Sequence, residues 1–241
     1  NVCIHAAGVS NSHCNDAHKF ERERQCLNES LRKSKSLDCF VYFSTCSVCD
    51  PELQKTSYVQ HKLEMEKLVA SHSRYLILRL PHVAGRSFNT HTLLNFLHAR
   101  ISQGESFQLW AGACRIIIDV DDVARLTTSL IQNVLARNMI VNMAAPCSYS
   151  IFDIVKSLEL TVGRSAIYEF INSESKYEID ISELKNLIGE CWLNFDDNYL
   201  ENVINKYYEK IQFTFIVVDF ELIINISTTK NYVRRNLGWR L

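Results

Sequence analysis

At 241 residues, with 26 basic against 27 acidic side chains and a net charge of -1, the chain is long enough to bury a substantial core and gives no electrostatic argument for nucleic acid or an anionic membrane as partner. The longest apolar stretch near the end, Phe213 to Val218, is too short to span a bilayer. Nine cysteines, odd in number and without regular pairing, favour a reducing cytoplasmic setting over a disulfide framework.

In chain order, short apolar and often β-branched runs predict strands at Val2–His5, Phe40–Phe43, Tyr75–Leu80, Phe107–Trp110, Arg115–Val120 and Met139–Met143. Between them the pattern predicts helices over Asp16–Lys33, Ser57–Ser71, His91–Ser102, Asp121–Leu135 and Ser150–Val162. The last opens on Ser150-Ile151-Phe152-Asp153, close to a capping box. Strands and helices alternating at this length predict a parallel sheet with helices on both faces. Seven glycines and three prolines leave no linker that would divide the chain cleanly. Ile211–Val218 and Phe220–Ile226 are consecutive β-rich runs, open between an extra hairpin, an interface and sequence foreign to the rest.

Chemistry concentrates around Tyr58-Val59-Gln60-His61-Lys62, thirteen residues after Thr45 at the end of an apolar run. Positions i and i+4 share a helix face, so the Lys62 ammonium is expected beside the Tyr58 phenol, favouring its ionised form. A phenol titrates near 10 unperturbed, whereas a base is most useful near the working pH. Thr45 offers a hydroxyl to the same substrate oxygen. Taken alone, a YxxxK spacing is met often enough on solvated helix faces to carry little. Cys46-Ser47-Val48-Cys49 has CxxC spacing, yet it lacks a second ligand pair, so small buried thiols are the expectation. The eight histidines show no HxxxH or HExxH spacing, and no metal site is expected.

The neighbours of the Tyr/Lys pair give it weight. Val2-Cys3-Ile4-His5-Ala6-Ala7-Gly8 precedes it; Tyr75 through Leu80 with Pro81-His82-Val83-Ala84-Gly85, then Arg115-Ile116-Ile117-Ile118-Asp119-Val120-Asp121-Asp122-Val123, follow. In that order these segments resemble the extended short-chain dehydrogenase/reductase family, the NAD-dependent nucleotide-sugar epimerases, dehydratases and reductases. The resemblance implies a partial Rossmann-like domain over residues 1–145, starting at the family's fourth strand and including substrate-side insertions, a mostly C-terminal substrate lobe over 146–210, and an unassigned tail over 211–241.

It also implies roles. Tyr58 matches the acid/base, Thr45 the hydroxyl on the reacting oxygen, and Lys62 the residue that binds the nicotinamide ribose. Ala6, Ala7 and Gly8 match the small strand end beside NAD or NADP, and Pro81, His82 and Val83 match the stretch that passes the nicotinamide. Arg115 matches the arginine that grips a nucleotide diphosphate, a task suited to a guanidinium fork, and Asp122 an acidic residue opening the next helix.

The chain shows no Gly-rich turn of the kind that holds a pyrophosphate at a helix N-terminus, so it is expected to be a fragment or a protein without its cofactor half. Cofactor binding by this chain alone is doubtful on that ground. Thr45 is followed by Cys46-Ser47 rather than the Asp-Glu of the dehydratases, and the stretch from Thr45 to Tyr58 is about half the common length. The expectation is therefore an epimerase or ketoreductase of a nucleotide-activated sugar, with a degenerate binding or assembly module as the alternative. The family also implies a homodimer that pairs the helices at Asp16–Lys33 and Ser57–Ser71, with Phe20, Leu27, Leu31, Leu63 and Leu68 as apolar stripes.

Overall fold

A computed structural model describes residues 1–72, 74–87, 89–132, 138–172, 177–189, 195–209, 213–218 and 221–226. The chain divides into two compact units, Asn1–Tyr208 and Glu209–Leu241.

The first unit is built on four parallel strands, β1 (Val2–His5), β2 (Cys39–Thr45), β3 (Tyr75–Leu80) and β8 (Met139–Asn142), hydrogen-bonded in that order. The register places Ile4, Val41 and Leu76 in one row and His5, Tyr42 and Ile77 in the next. Because side chains alternate across a strand, these rows face opposite sides, and both sides are apolar. On one, Phe40, Tyr42 and Ile77 pack against Leu27 and Leu31 of α1 (Ala17–Lys33) and Met65 and Val69 of α2 (Ser57–Ala70). On the other, Val41, Leu76, Leu78 and Val141 pack against Val123, Leu126 and Leu130 of α4 (Val120–Gln132) and Leu184 and Ile188 of α6 (Ser182–Ile188). This is the α/β layered sheet with helices on both faces that the alternation predicts.

The helix starts follow local chemistry. Asp16 accepts from the His18 N–H, Thr56 from the Val59 N–H, and Ser150 from the Asp153 N–H at 3.0 Å, each satisfying a first-turn donor. At Gly104, φ is +71°, and the left-handed residue closes α3 (Leu93–Gln103).

The predicted strand Arg115–Val120 is two shorter ones. β6 (Cys114–Arg115) pairs antiparallel with β9 (Tyr149–Ser150), and β7 (Ile117–Asp119) pairs parallel with β4 (His82–Ala84), while Val120 already opens α4. Between them Ile116 switches partner, its carbonyl accepting from the His82 N–H at 3.2 Å. The predicted helix over Asp121–Leu135 is seen to Gln132, and residues 133–135 lie outside those described.

A second core joins α3 with β5 (Ser106–Ala111), α5 (Ile151–Val162) and α7 (Tyr199–Tyr208), through Leu94, Leu97, Leu109, Ile154, Leu158 and Ile204. β10 (Ile167–Asn172) runs parallel to β5. This core thus joins α3 and β5, from within residues 1–145, to elements of residues 146–210. Leu27 and Leu31, expected in a dimer stripe, are buried against the sheet of their own chain and present nothing to a second copy.

In the second unit, β11 (Phe213–Val218) and β12 (Glu221–Ile226) form an antiparallel hairpin in which Val218 faces Glu221. Residues 211, 212 and 220 of the two runs read as strands lie outside those described.

Candidate active site

The site lies where the C-terminal ends of β1, β2 and β3 meet α2. Thr45 ends β2, and its hydroxyl accepts from the Ser47 N–H at 3.1 Å and donates to the Ser47 hydroxyl at 3.0 Å, capping a short 3-10 turn over Cys46–Cys49. In the first turn of α2, Tyr58 is buried, and its phenol feels the Thr45 hydroxyl. One turn further, the Lys62 ammonium lies 5.9 Å from the centre of the Tyr58 ring. The predicted trio is therefore brought together, with the strand end and the helix face each supplying what the spacing implied.

Lys62 does not face Tyr58 alone. Its ammonium donates to Glu23 Oε1 at 2.8 Å and to the Tyr42 hydroxyl at 3.4 Å. Glu23, reaching in from α1, accepts from four groups: Lys62 and the Tyr42 hydroxyl (2.9 Å) on Oε1, the Val9 N–H (2.8 Å) and His61 Nε2 (3.1 Å) on Oε2. A carboxylate only accepts, so His61 carries a proton on Nε2. Burial pushes the Glu23 carboxyl up, but the His61 hydrogen bond and the Lys62 charge outweigh it and hold the group at about 2.

These surroundings correct one expectation. Rather than being depressed by Lys62, the Tyr58 phenol is pushed up to about 12, first by burial and further by the Glu23 charge, with the Thr45 hydrogen bond opposing. Burial is the largest cause, and the Glu23 carboxylate, 2.8 Å from the ammonium, adds to it.

Ala6, Ala7 and Gly8 leave β1 as exposed small residues. A Cβ on Gly8 would stand 2.7 Å from Glu23 Oε1 and 2.9 Å from the Lys62 Nζ, so the strand end closes directly over the ion pair. Pro81, His82 and Val83 are half-buried and carry the chain from β3 into β4. His82 faces Arg115, and desolvation together with that positive charge lowers its ring to about 4. Arg115 itself donates to the Cys114 carbonyl at 2.8 Å and lies 5.9 Å from the Trp110 ring centre. Tyr177 is pushed up to about 12, first by burial and then by the field of Cys46, with Arg115 opposing. Burial also raises the Cys46 and Cys49 thiols, as suits small enclosed groups and not a reactive thiolate.

Asp122, read as a helix-opening carboxylate, accepts from the Tyr199 hydroxyl at 2.7 Å, which in turn accepts from the Asp119 N–H at 2.8 Å. It fastens α7 to the start of α4.

Glu23, His61 and Tyr42 are the residues the motif reading passed over. One signal was present: Glu23 precedes Leu27 and Leu31 at four-residue steps, so it belongs to the inward stripe of α1 and not to the charged face around it.

No family model and no curated protein sequence matches the chain. Solved structures do. The chain is similar to UDP-glucuronic acid 4-epimerase from Bacillus cereus, seen with UDP-glucuronic acid and NAD, at TM-score 0.71 and 20% identity over 86% of this chain and 74% of that one. UDP-glucose 4-epimerase from Thermotoga maritima follows at 0.68 and 17%, covering 86% and 76%. A dTDP-glucose 4,6-dehydratase from Bacillus anthracis, in complex with NAD, matches at 0.66 and 13%, covering 85% and 71%. The fold is the Rossmann-type α/β fold of the extended short-chain dehydrogenase/reductases, the family the motifs resemble.

Proposed function

We propose that this chain carries the proton-transfer and substrate-facing part of an NAD(P)-dependent epimerase or ketoreductase acting on a nucleotide-activated sugar. The observation that carries the reading is Tyr58 buried beside Thr45 with Lys62 one turn further along α2, at the strand ends of a fold shared with sugar-nucleotide epimerases.

The residues present fit the nicotinamide end of such a cofactor. Ala6, Ala7 and Gly8 are small and exposed, and an ammonium has three N–H donors, of which Glu23 and Tyr42 occupy two, leaving one for a ribose hydroxyl. When bound, the cofactor would supply the redox chemistry. Tyr58 exchanges a proton with the reacting sugar oxygen, and Thr45 steadies that oxygen as charge develops. Held at about 12, the phenol is protonated at neutral pH and acts first as a donor. Arg115 provides a guanidinium for the diphosphate, with the Trp110 ring behind it. Cys46-Ser47 after Thr45 supplies no acid/base pair for eliminating water, so a dehydratase is the less suited member of the class.

The second reading, a binding module without turnover, draws on the sequence's lack of a Gly-rich turn. One assay separates the two. With NAD or NADP and a panel of nucleotide sugars, Tyr58→Phe is expected to lower turnover by roughly 10²–10⁴ while leaving folding unchanged. Near-parental turnover in Tyr58→Phe would remove the mechanism, and nucleotide-sugar binding without turnover in the parent would favour the module.

A further inference from the structure

We propose that Glu23 is the positioning residue of this site: its carboxylate, carried on α1, keeps the Lys62 side chain charged and anchored beneath Gly8. The inference deepens the reading above and rests on it for its meaning, since Lys62 can serve a ribose or the phenol's field only while it holds its proton and its place.

Among the described residues no second carboxylate contacts Lys62. Its side chain is 5% exposed and that of Glu23 2%, so water does not solvate the charge. The groups facing it come from four elements. From α2, Glu66 is engaged by Arg79 at 2.7 and 2.9 Å and by the Ser44 hydroxyl at 2.6 Å. His61, next to Lys62 on the same helix, donates to Glu23 as well. From β2, Tyr42 is a neutral hydroxyl that also donates to Glu23. From β1, His5 contacts the Ser30 hydroxyl through Nδ1 at 3.1 Å, and its Nε2 has no partner. Tyr58 lies beyond, with Cys14 near it, and its phenol is protonated. Among the described residues Glu23 is thus the one carboxylate in contact with the ammonium.

Gly8 supports the assignment independently. A Cβ there would meet Glu23 and Lys62 at once, so a side chain at position 8 would displace the pair from the geometry seen. Burial lowers the Lys62 affinity for its proton, and Glu23 is the main opposing influence. A buried ammonium stripped of its counter-ion is expected to titrate several units below an ordinary lysine.

The test is the titration of the Lys62 side chain itself, followed by ¹³Cε and ¹⁵Nζ NMR and assigned by the signal lost in Lys62→Met. In the parent chain Lys62 is expected to stay protonated through pH 8. In Glu23→Gln its midpoint should fall by about two pH units or more, a loss of roughly 100-fold in proton affinity. An unmoved midpoint in folded Glu23→Gln overturns the proposal. So does a parent Lys62 that is already neutral at pH 7, a result that stands even if Glu23→Gln does not fold. Neither measurement uses cofactor or substrate. An inactive chain with a falling Lys62 midpoint would therefore defeat the enzymatic reading and leave this one intact, and the converse would separate them the other way.

Discussion

Two lysine–carboxylate clusters in this chain are nearly identical in bond length and opposite in setting. At the strand ends, Lys62 meets Glu23 at 2.8 Å with both side chains almost fully enclosed. At the start of α4, Lys206 of α7 meets Asp119 at 2.6 Å and Asp121 at 2.7 Å, with its own side chain 40% exposed and that of Asp121 59%. The Tyr207 hydroxyl donates to Asp119 at 2.6 Å and shares the load. In the second cluster water reaches Lys206 and Asp121, although Asp119 is enclosed at 8%; in the first it reaches neither partner. The difference teaches that distance does not rank ion pairs, and that the enclosed pair is the one whose protonation is bound to the site.

The largest expected effect follows directly. Lys62→Met leaves a buried carboxylate without its cation and should cost roughly 3–5 kcal/mol of stability in denaturant unfolding. Lys206→Met, at the half-exposed cluster, should cost about 1 kcal/mol or less. Equal costs for the two would erase the contrast.

The same contrast has a pH signature. Glu23 falls from an ordinary 4.5 to about 2 in the folded chain, so its stabilisation is complete above 4.5 and is lost as pH falls through about 2, worth up to roughly 3 kcal/mol. His82 falls from 6.5 to about 4 because burial and Arg115 favour the neutral ring, so its penalty grows as pH drops from 6.5 to 4. Stability measured by chemical unfolding should therefore decline in two windows. His82→Asn is expected to flatten the upper one and Glu23→Gln the lower; a variant profile parallel to the parent's in its own window would refute that assignment.

Much of this architecture was legible in the chain. The runs at Val2–His5 and Tyr75–Leu80 match β1 and β3 residue for residue; β3, buried inside the sheet, reads as continuous apolar text, and the exposed edge strand β1 is a short apolar run closed by small residues. The trio was legible because its spacing fits one helix turn and one strand end. What stayed hidden were features set by tertiary contact. β4 and β6 are too short to leave a pattern, and Pro81, which has no N–H, separates β3 from β4. α6 and α7 were read only as parts of a lobe. Glu23 sits in Glu21-Arg22-Glu23-Arg24, which scans as a solvated face, and only its step to Leu27 marks it as inward.

The smallest expected effect on folding, though not on behaviour, concerns the sheet's free side. Among the described residues β1 pairs with β2 alone, so its other edge presents backbone groups that no described strand pairs. In the row of Ile4, Val41 and Leu76, helices α4 and α6 cover the inner two, whereas Ile4 remains 52% exposed and Val2 beside it 38%. An exposed edge strand bearing apolar side chains is a template for association, and a lysine on it is a common way of blunting one. Ile4→Lys removes no buried contact, so its stability should stay within about 0.5 kcal/mol of the parent. Its self-association, followed by light scattering across a concentration series, should weaken by roughly tenfold or more. The inward-facing His5 next to it offers the control, since His5→Lys would force a charge beneath the sheet beside Lys62 and should unfold the chain. If Ile4→Lys associates as the parent does, the free edge is not what holds copies together.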